Sequence, residues 1–567
     1  MMLELIPDTL YRFQDTCNVY VVCYGSDAAL VDFGSGAVLD ELSAQGLRVT
    51  DVLLTHHHRD QAQGLARAVE IGARIWVPHT EQDLFHSVDA HWQAREVFNN
   101  YNTREDRFSL LEPVPVAGTL RDYATYTFGD HTFTVIPTPG HTTGSVTLLA
   151  ELGGQRVAFT GDLIAAPGKV WSLAATQWTY NGAEGVAASV ASLLDVKERH
   201  PDVICPTHGD PMPNPQPAID LLVERLWRLL RARDQNPRLF LLREQPYVQL
   251  TPHLLWNRTS VANSYALLSD SGKALLIDFG YDFVTGLPAG SDRASRRPWL
   301  YTLPALKQQF GVTAIDVVIP THYHDDHVAG CNLLRDVEGA SVWAAETFAG
   351  ILERPADYDL PCLWYDPIPV DRRLPLVRPI LWEEHTLTLY PLPGHTRYAV
   401  AVAVEVDGKR ALATGDQFQG DAGLEWNYVY QNRFAIDDYR ATATLYRRLA
   451  PDLLLSGHWT PQWTTPDYFA QVEARGELLA QLHRDLLPLD DVDFGDSGFL
   501  ARITPYQATV EGGFAATFTV EVRNPLPQAA SVIVRPAVPQ GWRVAEPEIT
   551  LAVAAHETGT AAFHITP

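Results

Sequence analysis

Residues Thr321 to His327 read THYHDDH, three histidines and two aspartates in seven positions. Neutral imidazole and ionised carboxylate are good ligands for first-row metal ions. One short loop can aim alternate side chains at one cation and its last two at a neighbour. Such a pair of cations lowers the pKa of a shared water and polarises an acyl or phosphoryl oxygen, which is hydrolytic chemistry. Residues 55–61, THHHRDQ, repeat the pattern but end in Gln61. More ligand-type residues follow in both halves: His141 in PTPGHTTGS, Asp162 in FTGDLI and His208 in CPTHGDP, then His395 in PLPGHTRYA, Asp416 in ATGDQF and His458 in LSGHWTP.

The elements that must position these residues can be read from their flanks. AIDVVIP precedes the THYHDDH loop, ALATG precedes Asp416 and DLLLSG precedes His458, and each reads as a buried strand. Loops at the carboxyl ends of strands are where α/β folds collect functional groups. A single histidine in such a place is usually an ordinary hydrogen-bonded residue. Four such loops recurring twice in one order are not. The repeat extends further: CNVYVVCYGSDAALVDFGSG (17–36) and ANSYALLSDSGKALLIDFGYD (262–282) each read as a β-hairpin ending in Asp-Phe-Gly, and His141 to Asp162 and His395 to Asp416 are both 21 residues apart. Each half closes on a helical pattern, 217–233 with Leu221, Leu222, Leu226, Leu229 and Leu230 on one face, and 466–487. The expected domains are 1–236, 240–490 and 497–567, the last a run of short alternating strands separated by Gly, Pro and Asn turns.

Composition narrows the partners. The 567 residues, 46% hydrophobic, can bury several cores. No run approaches the ~18 apolar residues of a membrane span. The start, MMLELIPDTLYRF, lacks the basic and apolar regions of a signal peptide, so a cytoplasmic protein is expected. A net charge of −25 argues against nucleic acid, whose phosphates draw on clustered Lys and Arg. The expected partner is a small-molecule substrate, with no membrane, and self-association into a homo-oligomer stays open. Cys17, Cys23, Cys205, Cys331 and Cys362 are odd in number and scattered, and read as buried reduced thiols.

Taken together, HxHxDH, PGH, TGD and GH with the opening Asp-Phe-Gly hairpin resemble the metallo-β-lactamase fold superfamily over roughly residues 5–465. The resemblance implies an α/β fold class, two tandem αββα sandwiches with a metal site at one edge of the sheets. It implies that His322, His324 and His395 hold one metal, that Asp326, His327 and His458 hold a second, and that Asp416 bridges them. Zinc is the implied ion, two in the second domain, although iron or manganese suits the same ligands. Asp326 would also orient the attacking water and shuttle its proton. In the first copy His56, His58 and His141 fill the first position, Asp162 matches the bridge, and Asp60, the counterpart of Asp326, remains with His208. Gln61 offers only a neutral amide, so one zinc, or a weakly held second, is expected there. His57 should point away from the side shared by His56 and His58, and Arg59 could fold its cation into the vacancy. The last 70 or so residues resemble bacterial immunoglobulin-like modules, chiefly through PQGWRV.

Within the superfamily, His58 and His324 stand where flavodiiron oxygen reductases have Glu, and Asp162 and Asp416 exclude the subclass with a cysteine ligand. Ala165 and Gln419 stand where lactonases often carry Tyr. What remains is similar to the hydroxyacylglutathione hydrolase-like branch, without its C-terminal glutathione-binding residues. The expected function is hydrolysis of an ester or thioester, mainly by the second domain. Lactone, β-lactam or phosphodiester hydrolysis is the alternative, and a non-catalytic scaffold that keeps the fold is the competing class. Arg397 is a candidate for a substrate carboxylate or phosphate. Trp178, Tyr180, Trp426 and Tyr428, which follow the bridging Asp in each copy, are candidate walls of an apolar cleft.

Overall fold

The computed structural model describes residues 2–94, 108–178, 184–233, 243–282, 293–487, 500–508 and 513–567. They form two compact units, 1–246 with 281–305, and 247–280 with 306–567.

In the first unit seven strands from Met2–Ile6 to Gly118–Leu120 lie in chain order in one sheet. Six strands from Thr125–Phe128 to Met212–Pro213 make the other. The strand Asn18–Tyr24, NVYVVCY, shows how sequence sets the layers, because successive side chains point to opposite faces. Val19 and Val21 pack with Val38 and Leu42 of helix Val38–Ala44 and with Leu65 and Ala68 of helix Leu65–Glu70. Tyr20 and Val22 face Phe133, Val135, Leu148 and Phe159 of the second sheet. The far side of that sheet, with Ala158 and Ile204, is covered by helices Glu184–Glu198 and Gln216–Arg233. The order is helix, sheet, sheet, helix, the αββα sandwich expected.

The second unit repeats it, with seven strands from Tyr247–Thr251 to Arg372–Leu374 and six from Pro379–Trp382 to Gln462–Trp463. Helices Asp438–Leu449 and Pro466–Leu486 cover its second sheet around Leu412 and Leu454. The C-terminal stretch is all-β, a four-stranded and a two-stranded sheet around Phe563, Ala561 and Ile565, and it is grouped with the second unit.

Three expectations are corrected here. The buried face of helix Gln216–Arg233 is Ile219, Leu222, Leu226 and Leu230, a strict three-to-four spacing, while Leu221 and Leu229 fall on its flanks. Cys362 is exposed and Cys23 half-buried, so only Cys17, Cys205 and Cys331 are the interior thiols foreseen. Residues 281–305 lie inside the second repeat by sequence yet belong to the first unit. Arg297 is fully buried, its guanidinium donating to both oxygens of Asp122 (2.9 and 2.6 Å) and to the carbonyls of Thr143 (2.8 Å) and Ser145 (3.1 Å). Trp299 and Tyr301 join the cluster that contains Trp178.

Candidate metal centres

The same strand ends deliver the ligands in both units. In the second, the strand Ala314–Ile319 of the first sheet leads into His322, His324, Asp326 and His327. Strands His385–Pro391, Lys409–Gly415 and Leu453–Ser456 of the second sheet lead into His395, Asp416 and His458. Gly415 turns the chain before Asp416 with φ +50°, a conformation that favours glycine.

His322, His324, His395 and Asp416 each place one ligand atom within 4.8 Å of the others, and Asp326, His327, Asp416 and His458 form a second such group. His395 Nε2 lies 3.1 Å from His324 Nδ1 and 3.5 Å from Asp416 Oδ2. These are the edges of a tetrahedron of about 3.3 Å, as expected for zinc bonds of about 2.0–2.1 Å. At the second position His458 Nε2 is 3.0 Å from Asp416 Oδ2 and 3.2 Å from Asp326 Oδ2, and His327 Nε2 is 3.1 Å from Asp416 Oδ1. His322 Nε2, His327 Nε2 and Asp416 Oδ1 are buried and make no hydrogen bond among the described residues. Unpaired buried polar atoms are costly, and here they converge, the situation that bound cations relieve. The residues fit two metal ions.

Backbone and carboxylate groups orient the ligands from behind. Thr321 Oγ1 joins Asp278 to Nδ1 of His322 (3.1 Å). His395 Nδ1 meets the Asn427 carbonyl at 2.7 Å, and His458 Nδ1 the Val261 carbonyl at 2.9 Å. Such contacts fix tautomer and ring direction. Burial, with His395 beside it, pulls His324 down to about 3, and burial and the neighbouring imidazoles pull His322 well down; both are neutral, as metal ligation requires. At His458 burial opposes the charge, but Asp416 and Asp326 prevail and push it up to about 11. Two carboxylates are thus gathered where a dication would balance them.

In the first unit His56, His58 and His141 form the matching group. His141 Nε2 is 3.0 Å from His58 Nδ1 and 3.3 Å from Asp162 Oδ2, while His56 Nε2, 3.7 Å from Asp162 Oδ2, is buried without a hydrogen-bond partner among the described residues. This first position fits one ion. The second does not. His208 contacts Asp162 Oδ1 through Nδ1 (2.8 Å) and Asp60 Oδ2 through Nε2 (3.2 Å), and Trp171 stacks flat on its ring at 4.1 Å. The Gln61 amide, with its nitrogen on Asp60 Oδ1 (2.7 Å) and the His58 carbonyl (3.1 Å), lies where His327 stands in the other copy. That orientation satisfies both ends of the amide, whereas the opposite one would leave oxygen facing only acceptors.

Other expectations divide. His57 turns away, as foreseen, to the buried Glu81 at 3.1 Å. Arg59 does not enter the vacancy, because its guanidinium donates to the Ser109 carbonyl at 3.1 and 3.0 Å. Arg397 pairs with Asp438 at 3.2 Å. Trp178 is fully buried in the core, so it walls no cleft. Trp426 and Tyr428 pack half-buried against the second unit's core on either side of Asn427, whose carbonyl holds His395. Tyr180 lies outside the described residues. Sequence reasoning missed Asn432, fully buried, which accepts from Tyr323 (2.8 Å) and donates to the His395 carbonyl (3.1 Å). A polar residue inside EWNYVYQNR was its only signal.

A profile of the metallo-beta-lactamase superfamily matches residues 12–208 and 258–458. Among curated relatives, a hydroxyacylglutathione hydrolase of Fuscovulum blasticum is 35% identical over 142 residues, 25% of this chain and 44% of that protein. One of Shewanella sp. (strain ANA-3) is 29% identical over 140 residues, 24% and 44%. An atrochrysone carboxyl ACP thioesterase of Passalora fulva is 29% identical over 167 residues, 28% and 40%. The match therefore spans less than half the length of each of these relatives. Among solved structures, the subclass B3 metallo-beta-lactamase BJP-1 of Bradyrhizobium japonicum aligns with 21% identity and TM-score 0.31 over 41% of this chain and 94% of that one.

Proposed function

Because the chain belongs to the metallo-beta-lactamase superfamily in both halves, we propose that it is a metal-dependent hydrolase of ester or thioester bonds whose main activity lies in the second unit. The observation that carries this reading is the convergence there of His322, His324, His395, Asp416, Asp326, His327 and His458 in two groups that share Asp416. Bound at those groups, two zinc ions, or iron or manganese, would supply an acidified water and a Lewis acid for the substrate carbonyl.

The chain's own groups do the rest. Asp278 through Thr321, Asn427 and Val261 hold three imidazoles in fixed directions, so no reorganisation is needed when charge develops. Asp326, half-buried, is placed to accept a hydrogen bond from a water and carry its proton to the departing thiolate or alkoxide. Burial, outweighed by His327 and His458 beside it, leaves its carboxyl down at about 2, so it is ionised and able to accept a hydrogen bond. The choice of an acyl bond draws on relatives named as hydroxyacylglutathione hydrolases and as a carboxyl ACP thioesterase. A cytoplasmic location and an immunoglobulin-like identity for the C-terminal module belong to the same proposal.

The test is metal content of the purified chain together with turnover of a panel of aryl esters, thioesters, lactones, β-lactams and phosphodiesters. About two tightly held ions in the second unit with turnover of esters or thioesters is the expected result. A chain that stays metal-free after expression with added zinc and turns over nothing would replace the enzyme by a scaffold.

A further inference from the structure

The two copies carry a second exchange that matches Gln61 for His327. Thr207 N donates to the Gly161 carbonyl at 2.9 Å, and Gly457 N to the Gly415 carbonyl at 2.7 Å, so Thr207 and Gly457 occupy the same place, one residue before His208 and His458. A Cβ on Gly457 would overlap Asp416 Oδ1 and come within 3.0 Å of His327 Cε1. Glycine at 457 therefore leaves room first for the Asp416 carboxylate and, more narrowly, for the ring at 327.

The first copy is built the other way. Thr207 is buried, and its hydroxyl donates to Asp32 Oδ2 at 2.7 Å. In the second copy the corresponding carboxylate, Asp278, gives its Oδ2 to His327 Nδ1 at 3.0 Å, while its Oδ1 accepts from Thr321 N just as Asp32 Oδ1 accepts from Thr55 N. One carboxylate oxygen thus anchors the metal-binding imidazole in one unit and a threonine hydroxyl in the other. An imidazole placed at 61 would find its anchor taken and its space filled. The turned ring of His208 adds less, since rotating a side chain moves no backbone.

We infer that Thr207 is the second determinant of metal number in the first unit, coupled to Gln61, and that the pair Gln–Thr fixes one cation where His–Gly fixes two. The inference rests on the metal reading proposed above. It goes beyond it by assigning the loss to a residue that is no ligand.

The experiment measures zinc per full-length chain, and the cobalt(II) absorption spectrum, for the parent, Gln61→His, Thr207→Gly, Gln61→His with Thr207→Ala, and Gln61→His with Thr207→Gly. Only the last should gain about one ion. The alanine version should not, because its Cβ still fills the space. Thr207→Gly alone should melt earlier, since Asp32 loses a donor, and adding Gln61→His should recover part of that loss. Should Thr207→Gly prevent folding, Gly457→Ala in the second unit gives the reciprocal reading, expected to lose at least about one ion. A full equivalent gained by Gln61→His alone would overturn the role of Thr207, as would a folded double variant that gains nothing or a Gly457→Ala chain with unchanged content. A parent that binds no zinc would remove the metal reading and this inference with it.

Discussion

His208 and His458 end the ligand series of the two units, and they use their rings in opposite senses. His458 rests Nδ1 on the Val261 carbonyl and offers Nε2 to Asp416 and Asp326 together. His208 gives Nδ1 to Asp162 and Nε2 to Asp60, with Nε2 also 3.4 Å from the Thr16 carbonyl, under the indole of Trp171. The same residue type at the same strand end turns one nitrogen toward both carboxylates in one unit and spends a separate nitrogen on each in the other. Keeping a histidine does not keep its ring direction; the neighbours decide it.

The most damaging way to probe this contrast is to remove ligands one unit at a time. Asp326→Ala is expected to lower kcat/KM for ester or thioester hydrolysis by on the order of 10²–10⁴-fold, the range for a positioned proton-transfer group, and His324→Ala to abolish it through loss of metal, whereas His58→Ala should have a smaller effect. Equal losses would erase the division between units. Chelation should act next most strongly, on stability. An ion at about a thousand times its Kd contributes about 4 kcal/mol by mass action, so EDTA should lower the melting temperature of the second unit more than that of the first in calorimetry.

A smaller effect comes from Arg397 and Asp438, which have no counterpart at Thr143. Burial, against the pull of the Ala435 amide and Arg397, raises the Asp438 carboxyl from 3.8 to about 6. A raised carboxyl favours the protonated folded state, so its contribution is complete below the unfolded pKa and is lost as pH climbs from about 4 to about 6, up to about 3 kcal/mol. Asp438→Asn should flatten the stability of the second unit across that window; an unchanged slope in urea titrations would count against it. Smallest is Tyr323→Phe, which removes the donor to Asn432 Oδ1 and should cost about 1 kcal/mol. His57 in the same slot faces a carboxylate instead, and its loss should cost more, because Glu81 stays buried and charged. Equal costs would show that the two slots are interchangeable.

The residues of both candidate groups were legible in the sequence because each stands shortly after an apolar strand and most recur in the other half. The sheets were equally readable, since alternation such as Val19, Tyr20, Val21, Val22 sorts itself between a helix layer and a facing sheet. What could not be read depends on side-chain direction or distant pairing. Arg59 turning to Ser109, Trp178 sinking into the core and His208 spanning two aspartates are choices made by packing, without a periodic trace. Thr207 looked like part of a landmark. Its meaning appears only when Asp32 and Gly457 are set beside it.

Arg297, Trp299 and Tyr301 have a consequence for heredity. The backbone leaves the first unit at 246, returns at 281 and departs again at 305. A duplicated gene ordinarily yields two cassettes that recombination can separate, shuffle or delete. Here a break anywhere between 247 and 296 would strip the earlier copy of the guanidinium that neutralises Asp122 and of two aromatic rings from its interior. The copies can differ at their sites, as Gln61 does from His327, but no single cut between 246 and 305 separates the two units cleanly.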